Sequence, residues 1–201
     1  ALVMERDEGL DTAPSVGMYR FQVPAELQGA YNSTGVANLT ASMEKEPNTL
    51  SMNVAHVKGN PSESYVVEIY KDLAAIETHR KSDQYQAFVN EVGSKLTNRK
   101  VYDVQSVLLF EKKDALSIVN DGKAVVTLTE FNVDSNDIDT VQRQYELDIE
   151  RAVRDDAGYK AGYVLRERNA KNHWYVIQIY SDQEALTKHL NSPGYRFMMS
   201  Q

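Results

Sequence analysis

The second half of the chain has the clearest pattern of apolar and polar positions. Val125 to Val133 is rich in β-branched and aromatic residues, which predicts a β-strand. Tyr159 to Arg168 and Trp174 to Tyr180 are typical of a hairpin with a longer loop, and Asp182 is placed to cap a helix. Between the first strand and the hairpin, apolar residues recur every three or four positions, at Ile138, Val141, Tyr145, Ile149 and Ala152. This spacing predicts a helix that packs one face on a sheet, and the predicted order is β-α-β-β-α.

The first half repeats this pattern at an offset of 110 residues. Tyr65 to Asp72 matches Tyr175 to Asp182, and the match continues without gaps along the helix that follows. The matched pairs there are Ala75/Ala185, His79/His189, Ser82/Ser192 and Tyr85/Tyr195. Each half is therefore expected to be one unit of roughly 100 residues.

The first unit is predicted to carry a fourth strand. Its predicted strands and helices are Met18–Val23, Leu27–Met43, Leu50–Lys58, Tyr65–Tyr70 and Leu73–Leu96, followed by a strand near Val104–Phe110. This order, β-α-β-β-α-β, is the split β-α-β plan of ferredoxin-like folds. We expect an α+β protein with tandem units at residues 12–115 and 120–201.

The second unit has no fourth strand of its own within the sequence. Leu2 to Leu10 resembles Leu108 to Leu116, which predicts a circularly permuted duplication in which residues 1–10 complete the second unit. The alternative is a C-terminal truncation with a disordered N-terminal tail.

Composition excludes several classes of function. The 201 residues include 22 Lys plus Arg and 29 Asp plus Glu, a net charge of −7, which argues against nucleic acid and anionic membranes as partners. The absence of cysteine excludes disulfides, a thiolate nucleophile and Cys-ligated metals, and the four scattered His residues predict no metal site. The longest apolar run, Val107–Phe110, is far too short to cross a bilayer. We expect a soluble, cytoplasmic protein.

Both halves carry residues that resemble the antibiotic biosynthesis monooxygenase family. A turn of the Glu-Pro-Gly kind precedes a strand at Glu46-Pro47-Asn48 and at Asp156-Ala157-Gly158. A Glu-x-Tyr strand and a helix with Ala, His, Ser and an aromatic residue follow, as in Glu68, Tyr70, Asp72, Ala75, His79, Ser82 and Tyr85. The resemblance implies small α/β-barrel proteins in which two four-stranded sheets, normally from two chains, face each other. One chain here carries both sheets, so we expect a monomer with an internal pseudo-dimer, or a homodimer of such chains.

Strand alternation places candidate ligand-binding residues on one face of each sheet. One face carries Ser64, Glu68 and Tyr70, matched by Trp174, Gln178 and Tyr180 in the second half. Because the opposite faces are more uniformly apolar and suit helix packing, these mixed faces are assigned to the barrel interior. Tyr70, Trp174, Gln178, Tyr180 and Asn132 are the candidate substrate-binding residues. Such a cavity suits a flat aromatic molecule, and the alternative is a closed core filled by the same side chains.

Glu68, His79 and His189 are the candidate catalytic bases. An imidazole titrates near neutrality, and burial of Glu68 would raise its pKa toward that of a phenol-deprotonating base. The alternative for both His residues is a structural one, tying a helix to a strand. The second half has Gln178 in place of Glu68, so the two interiors differ chemically.

The resemblance implies a monooxygenase that needs no cofactor and acts on an electron-rich aromatic such as a quinol or anthrone. A non-catalytic binding or stress-related barrel is the alternative. Heme degradation is disfavoured because His189 stands where a Trp is expected and Met199 where an axial His is expected. Sugar-phosphate isomerisation is disfavoured because no Arg or Lys lies at the interior strand positions.

Deleting residues 1–10 is predicted to destabilise the protein by several kcal/mol. The deletion would remove ladder hydrogen bonds and the buried parts of Leu2, Val3 and Met4, at roughly 1.5–3 kcal/mol for each fully buried apolar side chain. Thermal denaturation of the full and shortened chains measures this difference. An unchanged melting temperature would refute the permuted arrangement.

Overall fold

A computed structural model of the chain describes residues 14–113 and 122–201. The described residues form two compact units, and the division falls between Val104 and Gln105. We call residues 14–103 the first unit and the described residues from Val104 the second unit, so that the strand that begins at Val104 is not divided. The predicted N-terminal strand at residues 1–10 lies outside the described residues.

The first unit is an antiparallel sheet of four strands with three α-helices. Its strands occur in the order β2-β3-β1-β4, which is the ferredoxin-like arrangement that the sequence predicts. The elements are β1 (Ser15–Gln22), α1 (Gln28–Lys45), β2 (Thr49–Val57), β3 (Asn60–Tyr70), α2 (Leu73–Arg80), α3 (Asp83–Glu91) and β4 (Thr97–Tyr102).

The second unit repeats three of these strands, since β7-β8-β6 corresponds to β2-β3-β1, but its fourth described strand, β5, lies at the opposite edge, beside β7. Its elements are β5 (Val104–Glu111), β6 (Val125–Asn132), α4 (Ile138–Asp155), β7 (Tyr159–Glu167), β8 (His173–Tyr180), α5 (Gln183–Leu190) and α6 (Pro193–Met199). The bounds of β6, α4 and β7 are those of β1, α1 and β2 moved by 110 residues, which confirms the duplication. Among the described helices, none is long and apolar enough to span a membrane.

The strand at Val104–Glu111 belongs to a different sheet from the one predicted. The sequence analysis assigned it to the first unit as the fourth strand, but that position, beside β1, is taken by Thr97–Tyr102. β5 instead pairs with β7 in the second unit. All eight residues of β5 are buried, so its sequence has no alternation that would mark one exposed face or indicate a partner sheet.

The predicted helix Leu73–Leu96 is divided into α2 and α3 at Ser82. Asp72 caps α2 by accepting a hydrogen bond from the Ala75 amide at 3.0 Å, and the Ser82 hydroxyl caps α3 by accepting one from the Tyr85 amide at 3.2 Å. Asp182 and Ser192 do the same in the second unit. The paired Ser residues of the repeat are therefore helix caps.

The sheet face that carries Ser64, Glu68 and Tyr70 meets the helices of its own unit. The hydroxyl of Tyr31 on α1 lies 2.7 Å from that of Ser64, and in the second unit Trp174 and Tyr180 pack in one core cluster with Ile149 of α4. The assignment of these residues to a barrel interior is therefore wrong. The sequence analysis assumed that the helices cover the more apolar face of each sheet. In the first unit the helix-covered face lines a cavity, so it carries polar side chains as well.

Candidate active site

A cavity of about 420 Å³ lies inside the first unit, between its sheet and helices α1, α2 and α3. Its walls are largely aromatic. The aromatic side chains that line it are Tyr19, Phe21, Tyr31, Tyr70, Tyr85 and Phe88. A space of this size and lining suits a flat, mainly apolar ligand.

Tyr19 and Phe21 form one wall of the cavity. Their rings are stacked, with centroids 6.1 Å apart and planes 15° from parallel. Gly17 makes room for this arrangement, because a Cβ there would lie 3.0 Å from the ring and hydroxyl of Tyr19. The wall offers an aromatic ligand a flat surface on which to stack.

Glu68 and Tyr70 form a polar part of the cavity wall. The Tyr70 hydroxyl donates a hydrogen bond to Glu68 Oε2. Burial raises the pKa of the Glu68 carboxyl, and the Tyr70 hydrogen bond and the nearby His79 and Arg80 oppose that rise without cancelling it. Burial and the Glu68 charge also raise the pKa of Tyr70. Glu68 is therefore a carboxyl group that the protein biases toward its neutral form.

His79 is almost completely buried, and one of its nitrogens has no partner among the described residues. Its Nδ1 lies 3.0 Å from Glu46 Oε1 and 3.3 Å from the Ser42 hydroxyl. Its Nε2 is also buried but makes no hydrogen bond to any described residue, and the His79 side chain lines the cavity. A carboxylate at Nδ1 favours the tautomer with the proton on Nδ1, which leaves the Nε2 lone pair able to accept a proton.

Glu46 is held firmly in place at the C-terminal end of α1. Thr49 donates a hydrogen bond to Glu46 Oε1 at 2.7 Å, and Gln84 donates one to Oε2 at 2.6 Å. Together with His79 these partners orient both carboxylate oxygens. The sequence analysis treated Glu46 only as part of a turn, and nothing in its spacing signals that it would reach His79.

His189, the counterpart of His79, has partners at both nitrogens. Nδ1 lies 2.6 Å from the Tyr180 hydroxyl and Nε2 lies 2.8 Å from Asp148 Oδ2. Arg151 also pairs with Asp148, at 3.2 Å. His189 is 1% exposed. Because both of its nitrogens are paired, it ties α5 to α4 and β8 and has no free nitrogen for a substrate.

Large side chains fill the space in the second unit that corresponds to the cavity. Tyr145, Tyr159 and Trp174 take the positions of Gly35, Thr49 and Ser64. All three pack in the core cluster, and burial raises the pKa of Tyr145 to about 12. Gly162 accommodates this filling, since a Cβ there would lie 2.4 Å from the Tyr159 hydroxyl.

The predicted site residues therefore fall into two groups and one outlier. Glu68, Tyr70 and His79 meet at the cavity. Trp174, Gln178, Tyr180 and His189 lie in the second core, where Gln178 accepts a hydrogen bond from Tyr159 at 2.8 Å and Trp174 donates one to the Lys171 carbonyl at 2.8 Å. Asn132 is exposed and lies 2.8 Å from His173 Nδ1, apart from both groups.

The sequence analysis missed the α1 side of the cavity. Tyr31, Gly35 and Asn38 line it from this helix, and Ser42 contacts His79. The signal was available, because Tyr31, Gly35 and Asn38 recur at helical spacing and differ from their counterparts in α4. Those counterparts are Val141, the bulkier Tyr145 and the charged Asp148. For a metal ion, the described ranges hold no group of three His, Asp or Glu side chains that could bind one.

Both units match the family model described as antibiotic biosynthesis monooxygenase, over residues 16–91 and 124–200. The chain belongs to this family. Solved structures include proteins of similar length that resemble both units of this antibiotic biosynthesis monooxygenase family member. No curated protein sequence matches it.

Two bacterial proteins share the two-unit fold of this family member. One, assigned as a monooxygenase in Lactobacillus acidophilus NCFM, is 19% identical with a TM-score of 0.84, over 93% of this chain and 86% of its own. Another, assigned likewise in Fusobacterium nucleatum, is 20% identical with a TM-score of 0.82, over 96% and 87%. An anthrone oxidase-like protein is 13% identical with a TM-score of 0.55, over 98% and 87%. At these sequence identities the similarity shows a shared fold.

Replacing Glu68 by Gln is predicted to stabilise the protein increasingly as the pH rises. Because folding raises the pKa of Glu68 above its ordinary value of 4.5, the folded protein holds a proton that the unfolded chain has lost, and stability falls as pH rises from 4.5 through the raised pKa. Gln cannot ionise and still accepts the Tyr70 hydrogen bond. Melting temperatures of both proteins between pH 4 and pH 8 measure the difference, and a constant difference across that range would contradict the buried carboxyl.

Proposed function

We propose that the first unit is a monooxygenase that oxidises an electron-rich aromatic, of the quinol or anthrone class, without a cofactor. The observation that carries this proposal is the buried Nε2 of His79 at the wall of an aromatic cavity. It has no partner among residues 14–113 and 122–201, and the Glu46 carboxylate contacts the other ring nitrogen. An unsatisfied buried nitrogen costs about 1–3 kcal/mol, and a ligand hydroxyl or acidic C–H group would supply its missing partner.

Proton removal is the step that the site is equipped to perform. His79 takes a proton from the substrate at Nε2, and Glu46 stabilises the imidazolium that forms. Glu68, protonated, donates a hydrogen bond to the substrate oxygen on which negative charge develops. The aromatic walls hold the resulting anion away from water.

The anion then reacts directly with O₂. For an anthrone, O₂ adds to the ring carbon that lost the proton, and the peroxide formed takes up the proton held by His79. Loss of water then breaks the remaining C–H bond and the O–O bond. One oxygen atom remains as the new carbonyl of the quinone and the other leaves as water, and the electrons that reduce O₂ come from the two C–H bonds of that carbon. The fold shared with an anthrone oxidase-like protein supports this substrate class.

Replacing His79 by Gln is predicted to lower the rate of anthrone oxidation by about 10²–10⁴-fold, the usual contribution of a general base. The measurement is oxygen uptake together with mass spectrometry of quinone formed under oxygen-18-labelled O₂, which should carry one labelled atom. His56→Gln is the matched control, because His56 is exposed and contacts Asn32 and the Pro61 carbonyl.

Three results would contradict this assignment. Equal rates for the two His variants would show that His79 is not the base. Hydrogen peroxide as the product would show simple autoxidation. Saturable binding of anthrone without any quinone would favour the alternative of a non-catalytic binding protein.

Replacing Gly35 by Tyr is predicted to abolish anthrone turnover while leaving the protein folded. A Cβ at Gly35 meets nothing within 4 Å, and the second unit already has Tyr145 at the matching position. The new ring would occupy the cavity, as Tyr145 occupies its own core. Val36→Tyr is the control, because Val36 is exposed. Oxygen uptake by both variants checks this, and full activity in Gly35→Tyr would place the reaction outside the cavity.

A further inference from the structure

Two arginines, Arg80 and Arg99, line the cavity and are also exposed to solvent, so they mark its mouth. Among the described residues that line the cavity, Glu68 is the one carboxyl group. Burial raises the pKa of Glu68 against the opposing effects of Tyr70, His79 and Arg80, and this bias toward the neutral form weakens its offset of the two guanidinium charges. The mouth is therefore cationic in a chain whose net charge is −7.

Arg99 is positioned by an irregularity in β4. The pairing of β1 with β4 shifts between Arg20 and Gln22, and Asn98 beside the shift has a positive φ of 48°. A bulge of this kind turns a strand and re-aims its side chains, and Asn tolerates the left-handed conformation better than most residues. The Arg99 guanidinium lies 5.9 Å from the ring centroids of both Tyr19 and Phe21.

Neither arginine has a strong acidic partner among the described side chains. The described residues include no carboxylate within salt-bridge distance of Arg99. Arg80 lies 3.5 Å from Glu77, but both side chains are more than half exposed, so the pair contributes little. Arg80 is close enough to Tyr19 to oppose the rise that burial and Glu68 cause in the pKa of that hydroxyl.

The second unit has neither Arg80 nor Tyr19 at the matching positions. Leu190 takes the position of Arg80, and Thr129 takes that of Tyr19. The positive charge of Arg80 is therefore present in the unit that has the cavity and absent from the matching position of the filled unit.

We propose that the substrate of the cavity carries an acidic group, a carboxylate or similar anion, that pairs with Arg99 and Arg80 at the mouth. The aromatic body then stacks on Tyr19 and Phe21, and the reacting ring lies inward at Glu68 and His79. Guanidinium groups match a carboxylate with two parallel hydrogen bonds. This inference rests on the proposed function for the nature of the ligand, and it adds the class of substituent that the ligand carries.

Binding of two unreactive probes tests the proposal separately from turnover. Anthraquinone-2-carboxylate and anthraquinone-2-carboxamide have the same shape and differ in charge, and neither has an oxidisable methylene. By titration calorimetry at low salt, the full chain should bind the carboxylate about tenfold more tightly than the amide, and added salt should reduce that preference. Arg99→Gln should bring the two affinities close together, and Arg99→Lys should keep part of the preference because it keeps the charge. Arg143→Gln, which removes an exposed arginine from α4, should change nothing.

The outcomes separate this inference from the proposed function. Equal affinities for the two probes, equal effects of Arg99→Gln and Arg143→Gln, or no binding of either probe would overturn it. Anthrone turnover with equal probe affinities would leave the monooxygenase standing and refute the acidic substituent. A carboxylate preference that depends on Arg99, in a protein that turns over no anthrone, would refute the reaction and support the acidic ligand.

Discussion

The contact between Glu46 and His79 is the constraint on which the geometry of the candidate site depends. A buried imidazole normally uses both nitrogens, as His189 does with Tyr180 and Asp148. In the first unit Tyr70 donates its hydroxyl proton to Glu68, so it does not serve His79. Glu46 and Ser42 contact Nδ1 instead. Asn38 stands where the second unit has Asp148, and Nε2 has no partner among the described residues. The two units therefore differ in the hydrogen-bond partners of the same histidine. Both nitrogens of His189 are paired within the protein, whereas Nε2 of His79 can accept a hydrogen bond or a proton from a ligand.

The two units show how one backbone plan supports either a binding site or a solid core. β1, α1, β2 and α2 match β6, α4, β7 and α5 in order and length, but Gly35, Thr49 and Ser64 correspond to Tyr145, Tyr159 and Trp174. Small side chains over one sheet leave about 420 Å³ open, at the expense of the apolar contacts that the second unit makes in the same place. The packed core of the second unit favours stability, and the cavity of the first unit leaves room for a ligand.

Much of the fold could be predicted from the sequence, because the repeat supplied two independent examples of each element. The partner of β5 could not be predicted, because a strand buried along its whole length shows no alternation. The site could be predicted only in part. Glu68, Tyr70 and His79 stand out by residue type, but the face they occupy depends on which side the helices cover. Glu46 joins them through a contact between residues 33 positions apart, which no periodicity records.

The chain leaves one sheet and enters the other at Asp103, and this determines how the protein can be divided into fragments. β4 ends at Tyr102 in one sheet and β5 begins at Val104 in the other, so a single residue joins the edge strands of the two units. Cutting the sequence between its two predicted units, near residue 118, would leave β5 on one fragment and the sheet to which it belongs on the other. The two fragments would then behave as a split protein, in which the second fragment regains its full sheet only by recapturing a strand from the first. The duplicated halves of the sequence are thus not the pieces into which the folded protein separates.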